Sequence, residues 1–463
     1  MIVPRSRLMW WTALIVLPFS ILGAVVPSAL WIAAGFIGAL AALALGDAVA
    51  GRRSLAGLSL QLPPLLRWSK DRAAAIELRI RNERPTQRRL RIALSLPGEI
   101  KSALEVMDVL LPREGEWSRV NWVCQPLKRG RYELATACLE GPSPLGLWGV
   151  RSRVPAVSEI RVYPNLLLER RNLAALFLNR GPFGLHAQRQ VGQGRDFEKL
   201  REYTPGDGYD EIHWKATARR GRPITKVFQI ERTQEVYVVI DSSRLSARSQ
   251  TVRVGTSAPG GTPAASGTEL PRGAVTTVLE RYVTAALVLA QAAARQGDLF
   301  GLLTFADRVG TFVRARNGRE HYQVCRDALY TVQPGLVSPD FDEVCTFIRL
   351  RLRRRALVVF LTSLDDPTLA ASFQRNLDLI CGQHLVLVGM LQPPGVFPLF
   401  SRADVTRTDD LFQHLGAHLR WQKLGELGKA LQRRGVRFSL VENEKLSAEV
   451  VSQYMGIKQR QLL

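Results

Sequence analysis

Two apolar stretches at the amino terminus constrain the fold more than any other feature. Residues 8–26 and 29–49 contain no Lys, Arg or Glu, and Asp47 lies only near the end of the second stretch. Each stretch is close to the roughly 20 residues that cross the hydrocarbon core of a bilayer as a helix. Pro27 and Ser28 separate the two. The pattern predicts a transmembrane helical hairpin over residues 1–54, with helices at about 8–26 and 29–49.

The charges beside this hairpin predict its orientation. Arg5 and Arg7 precede the first apolar stretch, and Arg52 and Arg53 follow the second. Because cytoplasmic flanks of membrane helices are enriched in Lys and Arg, both ends are expected in the cytoplasm. The predicted location is the inner (plasma) membrane, with two spans and cytoplasmic soluble domains. A cleaved signal peptide is the alternative, but it leaves the second stretch unexplained.

Length and charge bound the rest of the chain. A chain of 463 residues is expected to hold about two or three domains. The net charge of +22 suits an anionic partner such as nucleic acid, an acidic protein or a membrane surface. No dense Lys/Arg block with interleaved aromatic residues occurs, which disfavours a nucleic-acid-binding protein. The five cysteines form no CxxC pair, so neither a zinc ribbon nor a thioredoxin-type centre is indicated.

A β-rich domain is predicted over residues 55–165. Residues 75–81 and 90–96 alternate between apolar and polar side chains, and each run stops at turn residues. Such alternation buries one face of a strand, and the spacing of turns is typical of an antiparallel β-sandwich. Residues 140–148 are rich in Pro and Gly and are interpreted as a packed crossover. No catalytic cluster is apparent in this domain.

The densest polar stretch of the chain follows this domain. Phe197, Leu200 and Tyr203 fall at helical spacing and predict a helix. Residues 204–207 predict a turn, and residues 212–218 predict a further helical turn. Oppositely charged residues stand close together throughout, which indicates an ion-paired surface.

This stretch resembles the signature of the bacterial family called domain of unknown function 58. The family motif runs approximately Phe-x-x-Leu-Arg-Glu-Tyr, Pro-Gly-Asp, Ile-Asp-Trp-Lys and Ala-x-Ala-Arg. The matching residues are Phe197, Leu200, Arg201, Glu202, Tyr203, Pro205, Gly206, Asp207, Ile212, Trp214, Lys215, Ala216, Ala218 and Arg219. His213 stands where the family usually has Asp. We interpret residues 166–233 as a signature and connector segment, and expect the matching residues with Arg195 to form an interaction surface.

The remainder, residues 234–463, predicts an α/β domain. Apolar runs alternate with segments of helical periodicity, which indicates a doubly wound parallel sheet of the von Willebrand A-like kind. The predicted strands are 236–240, 299–305, 357–361, 385–391 and 436–441, and the predicted helices are 278–296, 321–332, 340–353 and 419–433. Residues 246–273 are rich in Ser, Gly, Pro and Thr and are interpreted as a disordered insertion.

The resemblance to von Willebrand A-like domains also implies a metal-ion-dependent adhesion site. That motif is Asp-x-Ser-x-Ser after the first strand, with a later Thr and a later Asp, and it suits octahedral Mg²⁺. Asp241 and Ser243 match the first two positions, but Leu245 occupies the third. The remaining candidates are Ser338 for the Thr, and Ser363, Asp365 and Asp366 for the later Asp. The incomplete motif predicts no firmly bound cofactor, although Mg²⁺ is the ion it would suit.

Three functions are consistent with these features. The family resemblance implies a non-enzymatic scaffold that works with a MoxR-type AAA+ ATPase in assembling or remodelling other proteins. The second hypothesis is a hydrolase or transferase with a site near Asp207, Asp210, His213 and Lys215, since a His close to carboxylates can serve in acid–base chemistry. The third is a basic nucleic-acid-binding protein. The client protein of a scaffold is not indicated.

Overall fold

The chain divides into two compact units, Met1–Asn165 and Leu166–Leu463, which are described in turn. The computed structural model describes residues 1–26, 28, 30–83, 88–113, 116–167, 191–204, 208–209, 212–229, 234–251, 275–399, 401 and 408–460.

The first unit opens with a short strand and two apolar helices. Strand β1 (Ile2–Pro4) leads into helices α1 (Ser6–Val25) and α2 (Leu30–Gly51), whose Phe19 and Phe36 rings stack with centroids 4.6 Å apart. Within the described chain, α2 is the one helix long and apolar enough to cross a bilayer; the apolar segment of α1 that can be assessed, Ser6–Leu22, is shorter. Most apolar side chains of both helices are exposed.

The described strands of the following β domain form two sheets. They are β2 (Leu58–Gln61), β3 (Leu65–Ser69), β4 (Ala74–Asn82), β5 (Arg88–Leu94), β6 (Ile100–Ser102), β7 (Met107–Leu111), β8 (Trp117–Pro126), β9 (Gly130–Pro142) and β10 (Trp148–Tyr163). One sheet has the order β1-β10-β9-β5-β7, with β3 parallel to β10, and the other has the order β2-β4-β8-β6.

A single apolar core lies between these two sheets. The alternation predicted for residues 75–81 is confirmed in β4, where Ile76, Leu78 and Ile80 are buried. Ile92 of β5 and Ile160 of β10, in the other sheet, belong to the same core. Each strand therefore contributes alternate side chains to the core and exposes the others.

The interpretation of residues 140–148 as a crossover is wrong. Strands β9 and β10 are antiparallel neighbours, and Pro142 pairs with Gly149. The residues between them therefore form a hairpin loop. The sequence signal misled because Pro and Gly mark a change of chain direction without specifying which strands it joins.

In the second unit, the signature segment forms a β-ribbon with a short helix. Strand β11 (Val191–Glu202) pairs antiparallel with β12 (Ile224–Gln229), and helix α3 (Trp214–Arg220) lies between them in the chain. The helix predicted from the spacing of Phe197, Leu200 and Tyr203 is therefore wrong. The pairing is irregular between Phe197 and Lys199. A bulge of this kind adds a residue to one strand and can create a three-residue spacing that mimics a helix. The predicted turn at residues 212–218 is confirmed as α3.

The α/β domain combines one mixed sheet with helices. Its strands are β13 (Glu235–Asp241), β14 (Ser249–Thr251), β15 (Val275–Thr277), β16 (Leu299–Phe305), β17 (Val309–Arg316), β18 (Ala356–Leu361), β19 (Leu385–Leu391) and β20 (Arg437–Val441). Its helices are α4 (Val278–Arg295), α5 (Arg319–Leu329), α6 (Phe341–Arg351), α7 (Pro367–Cys381), α8 (Thr408–Arg433) and α9 (Leu446–Gln459). The described strands of the large sheet follow the order β17-β16-β13-β18-β19-β20, parallel except for β17.

Both faces of this sheet are covered, which explains its continuous apolar runs. Val236, Val238 and Ile240 belong to a core with side chains of α4, α5 and α9. Tyr237 and Val239 face a second core with side chains of α6, α7 and α8.

Several boundaries differ from those predicted. Residues 246–251 are ordered: a 3-10 helix spans Arg244–Ala247 and β14 pairs with β15, so the predicted disordered insertion is wrong for these residues. Its remainder, residues 252–273, lies outside the described residues. The edge strand β17 and the helices α7 and α9 were not predicted, and α8 begins at Thr408, before the predicted start at residue 419.

Candidate functional site

The carboxyl end of strand β13 places Asp241 at the edge of the sheet. Strands β13 and β18 are parallel neighbours in which Ile240 pairs with Leu361. The residues that follow, Asp241 and Thr362, therefore meet at the same edge. Asp241 is completely buried, with no exposed surface. Ligand sites of open α/β sheets lie at this edge, so the surroundings of Asp241 form the candidate functional site.

Protein donors occupy both carboxylate oxygens of Asp241. Oδ1 accepts the backbone N–H of Ser243 at 2.8 Å, and Oδ2 accepts the Thr362 hydroxyl at 2.6 Å. Burial raises the pKa of Asp241, and hydrogen bonds from Ser243, Thr362 and Ser363 partly oppose this effect because they stabilise the ionised form. The carboxylate thus orders the loop that follows β13 and ties it to β18.

A tyrosine lies behind this carboxylate. The Tyr282 hydroxyl, on α4, is 3.3 Å from the Ser363 hydroxyl, and Tyr282 is fully buried. Burial raises the pKa of Tyr282, so its hydroxyl stays neutral at physiological pH. The edge of the sheet is therefore connected through Ser363 to the buried face of α4.

An ion pair lies nearer the surface. Arg248 Nη1 and Asp365 Oδ2 are 2.5 Å apart, and 44% of the Arg248 side chain is exposed. Asp365 Oδ1 is buried and has no hydrogen-bond partner among the described residues. The guanidinium group thus supplies positive charge to the carboxylate that the sequence suggested as a metal ligand.

The loop before α6 borders the same edge and exposes an apolar side chain. The Gly335 N–H donates to the Ser242 carbonyl at 2.7 Å, and the Arg244 N–H donates to the Val337 carbonyl at 2.9 Å. Leu336, between these anchored residues, is 93% exposed. The loop after β13 therefore holds a leucine in solvent beside the Asp241 edge.

Only some of the residues suggested for metal binding lie close together in the structure. Asp241 and Ser243 are adjacent, but Ser338 is exposed and Asp366 caps α7 by accepting the Thr368 N–H at 2.8 Å. The described part of the chain contains no group of three or more His, Cys, Asp or Glu that could hold a metal. Each oxygen of the Asp241 carboxylate already accepts a hydrogen bond, so a cation there would share these oxygens with the donors from Ser243 and Thr362.

The first half of the signature runs along β11. Strand β11 carries Arg195 and Phe197, and its last three residues are Leu200, Arg201 and Glu202. Arg201 Nη1 donates to the Thr204 hydroxyl at 2.5 Å, and Arg222 Nη1 donates to Glu202 at 3.2 Å. The Tyr203 and Tyr209 rings stack with centroids 6.2 Å apart. Pro205, Gly206, Asp207 and Asp210 lie outside the described residues.

The second half of the signature forms the exposed helix α3. His213 caps it by accepting the Ala216 N–H at Nδ1, 3.0 Å away, and Gly221 ends it in the left-handed conformation. Ile212, just before the cap, is buried and bridges to Thr225. Trp214 is 69% exposed, and Lys215 and Arg219 are exposed on the same helix.

Sequence reasoning missed three residues of this edge. Thr362 immediately precedes Ser363, which the sequence suggested as a metal ligand. Thr362 directly follows a buried strand, and that position is the signal that could have identified it. Tyr282 and Arg248 come from other elements, and no local pattern connects them with Asp241.

A family model covers the signature and most of this domain. Residues 199–255 and 266–395 match the family described as "Protein of unknown function DUF58". This part of the chain is therefore similar to that family. The DUF58 match contains Asp241, the Leu336 loop and α3, so the edge and the signature helix lie within the family's own segment.

Other comparisons give only distant similarities. An aerotolerance-related membrane protein from Bacteroides fragilis is 14% identical, with 48% of this chain and 97% of that chain covered and a TM-score of 0.25. BatB from Bacteroides thetaiotaomicron is 12% identical, with 49% and 99% covered and a TM-score of 0.27. Proximal thread matrix protein 1 from the mussel byssus is 12% identical, with a TM-score of 0.24; 48% of this chain and 45% of that chain are covered. TM-scores this low carry no argument. No curated protein matches the sequence.

Proposed function

We propose that this protein is a member of the DUF58 family and a membrane-anchored scaffold without enzymatic activity, whose cytoplasmic surface binds a MoxR-type AAA+ ATPase. The observation that carries the proposal is the exposed Trp214 between His213 and Lys215 on α3, with Arg219 one turn further along. Trp and Arg are the residue types most enriched where truncation costs binding energy. No nucleotide-binding motif occurs in the sequence, so an ATP-driven step would belong to the partner.

The membrane anchor in this proposal consists of α1 and α2 as a two-span hairpin. Its support is the exposed apolar surface of both helices, together with the attachment of their outer ends to the β domain. β1, before α1, pairs with β10, and Gly51, at the end of α2, is buried beside Ser143 and Val150. Arg5, Arg7 and Arg52–Arg53 then favour a cytoplasmic β domain.

The α/β domain is proposed to be a von Willebrand A-like module that binds its partner without a bound metal. The hydrogen bonds to both oxygens of Asp241 and the Arg248–Asp365 ion pair support this interpretation. Leu336 offers an exposed apolar contact beside that edge. The edge would therefore serve as a second contact surface besides α3.

The hydrolase or transferase hypothesis receives little support from the described residues. His213 accepts the Ala216 N–H at the start of α3, which assigns one of its ring nitrogens a structural role. Lys215, two residues on, is exposed on that helix. Among the described residues, no hydrogen bond or ion pair joins either side chain to a nucleophile or to an acid–base partner.

Co-purification from native membranes tests the proposed partnership. The tagged full chain is solubilised in detergent, and co-eluting proteins are identified by mass spectrometry with nucleotide present. Wild type should recover a MoxR-type ATPase. The Trp214→Ala variant should lose about 2 kcal/mol or more of binding free energy, roughly 30-fold in affinity.

The Trp117→Ala variant is the matched control, since Trp117 is also an exposed tryptophan but lies in the β domain. It should retain the ATPase at the wild-type level. If wild type recovers no ATPase even after crosslinking, the partnership is wrong. Equal losses in both variants would mean that α3 is not the contact surface.

A further inference from the structure

A group of arginine side chains lies at the edge of the α/β sheet opposite Asp241. Glu235 pairs with both Leu299 and Ala356, so β13, β16 and β18 begin at the same edge. Leu385 and Arg437 continue this alignment in β19 and β20. Because helices α4, α6, α7 and α8 each precede a parallel strand, their carboxyl ends also lie here. The topology thus brings segments distant in sequence to one surface.

Exposed arginines occupy this surface, which we call the basic edge. Arg353 and Arg354 lie in the loop before β18, and Arg316 lies at the end of β17, paired with Phe300. The basic edge comprises Arg295, Arg316, Arg349, Arg351, Arg353 and Arg354. Four of these arginines lie close together in the sequence, between positions 349 and 354, and Arg295 and Arg316 come from two other segments.

Acidic residues neutralise only part of this charge. Asp298 is buried and bonded to Lys458 at 2.8 Å, so it does not face the arginines. Glu235 Oε1 lies 4.0 Å from Arg354 Nη1. Glu320, at the start of α5, is the exposed acid closest in sequence to Arg316 and Arg319. A net positive surface remains.

Helix dipoles account for only some of the arginines. Arg295, Arg349 and Arg351 lie in the last turns of α4 and α6, where cations interact favourably with the carboxyl end of a helix. Arg353 and Arg354 follow α6, and Arg316 lies on a strand, so the dipole does not explain their positions. Together these arginines form a positively charged surface that suits an external partner with negative charge.

An exposed leucine indicates which anionic partner fits. Leu350 lies between Arg349 and Arg351 and is 70% exposed, and the Arg351 guanidinium group lies 5.7 Å from the centre of the Phe347 ring. A row of cations with an apolar side chain among them suits the headgroup boundary of a bilayer, where the cations meet lipid phosphates and the leucine meets acyl chains. A polyphosphate would leave the leucine in water.

We propose that the basic edge binds anionic phospholipid headgroups at the surface of the membrane in which the chain is anchored. This rests on the proposed membrane anchorage. Because the strands cross the domain from one edge to the other, docking of the basic edge turns the Asp241 edge and Leu336 away from the lipid. The arginines of the basic edge would then orient the domain so that its contact surface faces a cytoplasmic partner.

Photocrosslinking of the full chain in nanodiscs tests this proposal. The variant Leu350→p-benzoylphenylalanine places a crosslinker at the basic edge, and Leu336→p-benzoylphenylalanine places one at the opposite edge. Discs contain either phosphatidylcholine alone or phosphatidylcholine with phosphatidylglycerol. Lipid adducts are expected at position 350 in the phosphatidylglycerol discs, several-fold fewer in neutral discs or high salt, and none at position 336.

A charge variant gives a second readout. Replacing Arg349→Gln, Arg353→Gln and Arg354→Gln together should abolish the dependence of the adducts on phosphatidylglycerol. Equal adducts in both lipids, or none at position 350, would overturn the proposal, and so would adducts to an acidic protein when crosslinking is repeated in native membranes. Incorporation into discs is measured first by size-exclusion chromatography. Failure to incorporate would contradict the anchor itself, whereas incorporated protein without adducts contradicts only the basic edge.

Discussion

Asp241 shows how the chemistry of one residue depends on its neighbours. Its carboxylate is buried, and its oxygens accept hydrogen bonds from Ser243 and Thr362. A buried carboxylate is costly unless its oxygens are paired, so these donors are what allow Asp241 to remain at the end of β13. The same residue in a more open edge would be available to a cation.

The stability of the α/β domain should depend on pH through Asp241. Burial raises its pKa above the usual value of 3.8, so the folded protein binds this proton more tightly than the unfolded chain does. The stabilisation that protonation provides is fully present below that value and is lost as the pH rises through the folded-state pKa. The stability of wild type relative to Asp241→Asn, which cannot titrate, should therefore fall over this range.

Thermal unfolding of both proteins across this pH range measures the effect. Asp307→Asn serves as the control, because Asp307 is an exposed acid between β16 and β17. Its pH profile should follow that of wild type. A constant difference between wild type and Asp241→Asn at every pH would contradict the argument.

At the scale of elements, the junction between α2 and the β domain depends on a carboxylate. Asp47, in the last turns of α2, is 3% exposed and accepts three hydrogen bonds from the β9–β10 loop. The Ser143 hydroxyl donates at 2.5 Å, the Leu145 N–H at 2.9 Å and the Leu147 N–H at 3.2 Å. In addition, Trp148 Nε1 donates to the Ala44 carbonyl at 2.8 Å. An apolar helix and a hairpin loop are thereby joined into one structure.

Asp47→Asn should weaken this junction. The amide keeps the shape of the carboxylate but directs an NH₂ group at donors that need an acceptor. Leaving a buried donor unsatisfied costs about 1–3 kcal/mol. Thermal unfolding of the detergent-solubilised chain should show a loss of this size.

Asp108→Asn is the comparison variant for this prediction. Asp108 pairs with Arg91 at 3.0 Å on the exposed surface of the same unit, where such pairs contribute about 0–1 kcal/mol. A loss for Asp47→Asn no larger than that for Asp108→Asn would mean that the loop does not depend on the carboxylate.

At the scale of the whole molecule, the proposed hairpin requires that both ends of the chain lie in the cytoplasm. Arg5, Arg7, Arg52 and Arg53 flank the two helices, and their retention on the cytoplasmic side would fix the orientation. A carboxyl-terminal green fluorescent protein fusion should fluoresce, and an alkaline phosphatase fusion at the same point should be inactive.

A phosphatase fusion after Ser28, between the two helices, is the positive control and should be active. An active phosphatase at the carboxyl terminus would overturn the two-span arrangement. It would instead favour a single span or a cleaved leader.

The amino-acid sequence by itself determined the features that depend on local pattern. Apolar length marked α1 and α2, alternation marked β4, and continuous apolar runs marked strands such as β16 and β19. These signals are reliable because a helix or strand that buries one face or both faces must carry apolar side chains at the matching positions, and that pattern appears within a few consecutive residues.

Only the tertiary structure decided which distant residues meet. Asp47 and Leu147 are 100 positions apart, Asp241 and Thr362 are 121 apart, and the basic edge collects arginines from three segments. Strand pairing also overrode the helical spacing of Phe197, Leu200 and Tyr203, since β12 supplies backbone partners along β11. Hydrogen bonds and charge clusters of this kind depend on which strands become neighbours, and local periodicity does not specify that choice.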